Sequence, residues 1–159
     1  MRLSSRLLIG AIAGIAGTMA MTSAMRRFHK RLPARERYPL PPREIVDSAM
    51  APPDALARPI TIAAHFAYGA ACGALLGAAD PKMGRGAGAL AGTAIWIGSY
   101  MGWIPALSLL KPANAHPLRR DALMISVHIV WGTATASAMR ELSQAHDTIF
   151  AAGSAQDAP

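Results

Sequence analysis

Long apolar stretches alternate with short charged ones along the chain. No Asp, Glu, Lys or Arg occurs in residues 7–25, 59–79, 86–110 or 122–139. A bilayer core takes about 17–25 apolar residues as a helix, and each stretch falls in that range. A buried helix of a soluble protein rarely runs so far without a charge on a wet face. Lipid admits only helices or closed barrels, and the period-two alternation of barrel strands is absent. The pattern predicts an all-α membrane protein, a four-transmembrane-helix bundle forming a single domain over 1–159, with spans at about 7–25, 59–79, 86–104 and 122–139. Residues 26–58 read as a basic Pro-rich loop and 141–159 as a flexible tail. Pro59 is expected to open the second span, and Pro105 to kink or end the third near its last turn.

The first stretch has a rival reading. Arg2 and Arg6, an apolar run and then Thr22-Ser23-Ala24 have the order of a signal peptide. Against it stands the basic cluster Arg26-Arg27-Phe28-His29-Lys30-Arg31, which resists export and holds that end in the cytoplasm.

Composition narrows the class. Hydrophobic residues make 52% of the chain and charged ones 16%, against about 25% charged in a soluble domain. The apolar surplus comes from small residues and Met, with 14 Gly and 9 Met but 6% aromatics. One Cys excludes a disulfide scaffold. The net charge of +7 sorts by side rather than forming a nucleic-acid patch. Eleven of the 16 Lys and Arg lie in the two connections after the first and third spans. By the positive-inside rule, loops 26–58 and 111–121 face the cytoplasm and both termini face out. The partners expected are membrane lipid, with anionic head groups at the basic loop, and a homo-oligomer or membrane complex; no nucleic acid is expected.

Within the loop, Leu40-Pro41-Pro42-Arg43-Glu44 starts a short helix, with Pro at its first position. Ile45, Val46, Ala49 and Met50 make an apolar face beside Arg43, Glu44 and Asp47, which suits an interfacial helix. Glu44 and Asp47 are the one close carboxylate pair, and Arg43 and Arg58 point to a surface ion pair rather than to catalysis.

Small residues recur every fourth position: Gly10 and Gly14; Gly69, Gly73 and Gly77; Gly84, Gly88 and Gly92; Gly98 and Gly102. Missing side chains let helix backbones approach in lipid, either inside a compact bundle or across an oligomer face. An internal echo accompanies them. His65-Phe66-Ala67-Tyr68-Gly69 matches His128-Ile129-Val130-Trp131-Gly132, and Ala16-Gly17-Thr18 matches Ala91-Gly92-Thr93. The halves then form two tandem helix-hairpin repeats running in the same sense.

Candidate chemistry is sparse. The spans hold no carboxylate or strong base, so His65 and His128 stand out. Three readings remain open: hydrogen bonding between helices, axial ligation of a b-type haem, and a proton or metal path. No phosphate loop, zinc spacing or nucleophile elbow is present, and Cys72 reads as packing. No catalytic residue, metal or cofactor is assigned. The reading is a non-enzymatic membrane protein of structural, accessory or regulatory role, with a haem-bearing electron-transfer subunit and a small oligomeric channel or transporter as alternatives.

Pro39-Leu40-Pro41-Pro42-Arg43-Glu44-Ile45-Val46-Asp47 resembles the Pro-rich segment after the first span of YagU-like bacterial inner-membrane proteins. His65, Gly88-Ala89-Leu90-Ala91-Gly92 and His128-Ile129-Val130-Trp131 are similar to that family in the same order, over about two-thirds of the chain. The family is a domain of unknown function. The resemblance therefore implies a bacterial inner membrane, and transfers no activity or catalytic residue. Its heavier charge before the first span implies the opposite orientation, with the Pro-rich loop outside.

Overall fold

A computed structural model describes residues 1–153, and among these it contains helices and no strands. The helices are α1 (Leu3–His29), α2 (Pro41–Met50), α3 (Asp54–Ala79), α4 (Arg85–Gly98), α5 (Ile104–Ala106) and α6 (Leu118–Asp147). A π-helical turn, Ser99–Trp103, joins α4 to α5, and 3-10 turns lie at Ala34–Glu36 and Ala113–Ala115.

The ends follow local chemistry. Arg26 and Arg27 sit in the last turn of α1, where cations meet its negative dipole end. Pro41 occupies the first turn of α2, where a missing N–H costs nothing. That helix stops at Ala51, which is left-handed at φ 41°, before Pro52 and Pro53. The Pro53 carbonyl then accepts the N–H groups of Leu56 and Ala57 and starts α3.

Three helices, α1, α3 and α6, are long and apolar enough to cross a membrane. The expected third span, 86–104, is not a single helix. Gly102 (φ −116°, ψ −107°) leaves helical geometry inside the π turn, and Pro105 has no N–H for the Met101 carbonyl. Pro59 does not open the second span but lies inside α3, more than a turn after its start. Residues 141–147, expected in a flexible tail, belong to α6; residues 154–159 of that tail lie outside the described residues.

The helices pack in the order α3, α1, α6, α4, with α2 lying on α3. Glycine makes two of these joints. Gly10 faces the backbone at Gly73, Gly14 that at Gly69, and Gly77 that at Arg6 and Gly10, an antiparallel register for α1 and α3. Gly88 faces Gly132, and Gly92 faces the carbonyl of His128, an antiparallel register for α4 and α6. Gly17 lies against Thr135 and the Trp131 carbonyl and lets α1 meet α6. Gly98 and Gly102 do not pack: nothing lies within 4 Å of a Cβ at either, nor at Gly84. Those three therefore fall outside the seams expected of their ladders, and the seam residues Gly17 and Gly132 complete the set.

Large apolar side chains point outward. Leu8, Ile62, Leu75 and Leu90 are each more than 60% exposed. Exposed large aliphatic side chains together with glycine in the seams are consistent with helices that pack in lipid.

Gly73→Leu should lower the melting temperature in detergent, by a destabilisation of about 1–3 kcal/mol, since its Cβ meets backbone atoms of Gly10 and Gly14 that cannot swing away. Gly98→Ala, in open space with helical φ and ψ, should cost nothing by the same measurement.

Candidate functional site

α3 and α4 share no seam of the extent that joins the other neighbours. The space between them is a cavity of about 270 Å³, backed by α1 and α6 and covered by Pro41, Pro42, Ile45 and Val46 of α2. The chain has three Trp, and Trp96, Trp103 and Trp131 all line it, with Tyr68 and Tyr100. Trp96 and Tyr100 stack with centroids 6.0 Å apart and planes 14° apart. The rim is exposed, with Tyr68 41% and Trp103 40% accessible, whereas Trp96 is 7% exposed. Among the described residues, no Asp, Glu, Lys or Arg lines the cavity.

His65 and His128 both line this cavity. Nδ1 of His128 donates to the Met124 carbonyl at 2.7 Å, because a carbonyl can only accept. In the neutral ring Nε2 is then a bare acceptor. Among the described residues, Nε2 of His65 is buried without a partner. The indole N–H groups divide in the same way. That of Trp131 donates to Thr18 Oγ1 (3.2 Å) and that of Trp103 to Ser99 Oγ (3.2 Å), but Trp96 Nε1 has no partner among the described residues. Ser99 Oγ also meets the Tyr68 hydroxyl at 2.8 Å, the polar bridge across the open side. Cys72 is a buried free thiol in the cavity wall.

The loop chemistry is organised by a residue that charge counting treats as one cation among many. Arg120, 3% exposed, donates to the carbonyls of Glu36 (3.0 Å), Tyr38 (3.1 Å) and Pro39 (2.7 Å). It lies 3.5 Å from the centroid of the Tyr38 ring and 3.5 Å from the Glu44 carboxylate. Arg43 pairs with Asp47 at 2.7 Å one turn on, as a surface pair should. Glu44 turns to Arg120 instead, and Arg58 joins neither carboxylate, so the expected Arg43 and Arg58 pairing with Glu44 and Asp47 holds only for Arg43 and Asp47. Of the apolar face expected on α2, Ile45 and Val46 turn inward while Ala49 and Met50 are exposed.

Sequence reading missed Trp96, Ser99, Tyr100 and Trp103. The signal available was the spacing of Trp96, Tyr100 and Trp103, which puts three aromatics on one helical face. No family model, curated protein or solved structure matches the chain.

Removing the Arg120 guanidinium leaves three carbonyls and a carboxylate without their donor. Arg120→Met should destabilise by roughly 3 kcal/mol or more in detergent melts. Arg120→Lys should recover little, since an ammonium cannot span three acceptors and stack on Tyr38.

Burial raises the Glu44 carboxyl above its ordinary 4.5, outweighing the pull of Arg120 and His116 in the other direction. The folded protein thus keeps a proton that the unfolded chain releases as pH rises past about 4.5. Stability from this group is present at low pH and is lost as pH rises through the folded value. Melting temperature followed from pH 4 upward should show a smaller decline in Glu44→Gln than in the parent. Asp121, raised by burial in the same direction, contributes to both and cancels in the difference.

Proposed function

We propose that the protein is a non-enzymatic, multi-pass accessory protein of the bacterial inner membrane, a four-helix bundle that spans the bilayer four times. The observation that carries this reading is the inverted distribution of side chains, with glycine in the seams and large exposed Leu and Ile outside. The fourth span is the α4 segment continued through its π turn and α5. It runs antiparallel to α6 along the seam at Gly88 and Gly132. Arg120 supports a shared side for the two basic connections, since it ties 118–121 to the 36–44 segment. At the other end Lys82 pairs with Asp147 at 2.9 Å, and Arg6 donates to the carbonyls of Gly77 and Ala79.

The charge count puts the Arg120 side in the cytoplasm. Arg26 and Arg43 flank a shallow, largely apolar depression there, of about 280 Å³, and the basic connection as a whole would attract anionic head groups. The accessory role is support of the membrane, of a second copy or of a membrane complex. A b-type haem on His65 and His128 is the second reading, because both rings line one cavity. At about 270 Å³ that cavity falls just below the usual range of about 300–1,000 Å³ for pockets that enclose a drug-sized ligand, which speaks against a macrocycle. The absence of charged groups from its lining speaks against an ion path.

A reporter fused after Pro159 should read periplasmic and one inserted near Arg35 cytoplasmic. The reverse pattern would overturn the charge argument in favour of the family-based orientation. A purified protein with a haem absorption band would replace the accessory reading with the electron-transfer one.

A further inference from the structure

We propose that the cavity between α3 and α4 holds part of an acyl chain of a bilayer phospholipid, which enters sideways past Tyr68 and Trp103 from the middle of the membrane. The inference rests on the chain lying in a membrane and goes beyond it by naming an occupant and its route.

Four observations select this occupant. The surface of the cavity is almost wholly apolar, and the ring nitrogens of Trp96 and His65 are enclosed by protein rather than open to it. The polar groups at the rim are engaged with one another, since Ser99 Oγ meets both the Tyr68 hydroxyl and the Trp103 indole N–H. An occupant therefore needs no hydrogen-bonding group. Size comes second. An apolar cavity of about 150 Å³ already stays dry and takes up a small apolar molecule, and this one measures about 270 Å³. Left empty, it would deprive its lining of contact atoms on one side.

Depth is the third observation. Tyr68 stands ten residues after Arg58 and twelve before Asp80. At 1.5 Å per residue it lies about 15 and 18 Å along α3 from those charges, close to the middle of a hydrocarbon core about 30 Å thick. The matter that meets the rim there is the tail of an acyl chain, not a head group or water. Access is the fourth. Pro41, Pro42, Ile45 and Val46 of α2 roof the cavity at the Arg120 end, and α1 and α6 back it, whereas α3 and α4 share no seam. Entry is thus from the side, and a volume below that of a drug-sized pocket admits a length of chain but not a whole lipid.

The test uses the full chain in nanodiscs of phosphatidylcholine that include a phosphatidylcholine with a photoactivatable diazirine in the outer half of one acyl chain. After illumination, adducts are mapped by mass spectrometry of peptides. Leu75 and Leu90, exposed on the outside, should be labelled by the surrounding lipid. The proposal adds labelling of Cys72, Tyr100 and Met124, which are buried and line the cavity. A lipid with its diazirine beside the glycerol should label the exterior but not these three. Cys72→Phe puts a larger side chain into the cavity wall, so adducts on Tyr100 and Met124 should fall several-fold while those on Leu75 and Leu90 persist. Adducts on outward residues alone in the parent protein, a readout that needs no variant, would overturn the proposal. So would interior labelling that is equal for the two lipids, or unchanged in a folded Cys72→Phe protein. Cross-links from Tyr68 or Trp103 to a second copy, in place of lipid adducts, would give the cavity another occupant and overturn it too. Retention of the chain in membranes after alkaline carbonate washing tests the membrane reading separately, so failure of the cavity site and failure of that reading are distinguishable.

Discussion

Backbone contact at glycine is the constraint on which the arrangement depends. At Gly10, Gly14, Gly69 and Gly73 the chains of α1 and α3 approach until no Cβ fits between them, and Gly88, Gly92 and Gly132 do the same for α4 and α6. In lipid there is no hydrophobic gain from joining two apolar helices, so dispersion between close backbones has to supply the association. Such contact is available only where side chains are missing. It is present on two sides of the array and, through Gly17, on a third. The fourth side, between α3 and α4, has none. That side cannot close to backbone distance, and the chain fills its edges with aromatic rings instead. Concentration of every tryptophan around one space thus follows from where glycine is and is not.

The cover over that space depends on a different force. α2 is ten residues long and buries little more than Pro41 and Val46, too little for a helix to hold its place by packing alone. Arg120 supplies the anchorage. Its guanidinium sits at the start of α6 and holds the carbonyls of Glu36, Tyr38 and Pro39 in the segment that leads into α2. A buried cation would be costly without such partners. Here the donors meet carbonyls that otherwise would face apolar surroundings, and the Tyr38 ring covers the plane of the group. The α1–α2 and α5–α6 connections are therefore one structural unit, and the position of the cavity roof is set from the opposite end of the chain.

These two forces differ in how far the sequence announces them. Fourfold spacing of glycine is a local pattern, and it pointed to Gly10, Gly14, Gly69, Gly73, Gly77, Gly88 and Gly92, all of which lie at seams. The same spacing also pointed to Gly98 and Gly102, which face open space. Spacing fixes a shared face but not what stands opposite it, and opposite those two there is no helix. Arg120 was legible as a charge and not as a clamp. Its acceptors are main-chain carbonyls more than eighty residues away, and every residue type carries a carbonyl. The break at Gly102 was half visible. Pro105 signalled a disturbance, but the disturbance falls in the turn before it, where the missing N–H frees the Met101 carbonyl and the helix widens.

The two His-x-x-aromatic-Gly segments show how a repeated pattern can yield a single site. In each, the glycine closes a seam within its own half, Gly69 against α1 and Gly132 against α4. In each, the aromatic reaches a hydroxyl in the other half: Tyr68 meets Ser99 on the α4 side, and Trp131 donates to Thr18 on α1. Gly14 opposes Gly69 as Gly88 opposes Gly132, a correspondence one residue out of step with the Ala-Gly-Thr echo. The halves part company where α1 continues unbroken to His29 while α4 gives way to the π turn at Ser99. On the unbroken side Trp131 is 3% exposed and its bond to Thr18 is buried. On the broken side Tyr68 is left on an open rim and Trp96 without an acceptor. Were α4 as straight as α1, its aromatic face would have a helix's regular register to pack against, and the space would be shared out evenly between two sides. The cavity lies beside the π turn, where α4 departs from the unbroken course that α1 keeps.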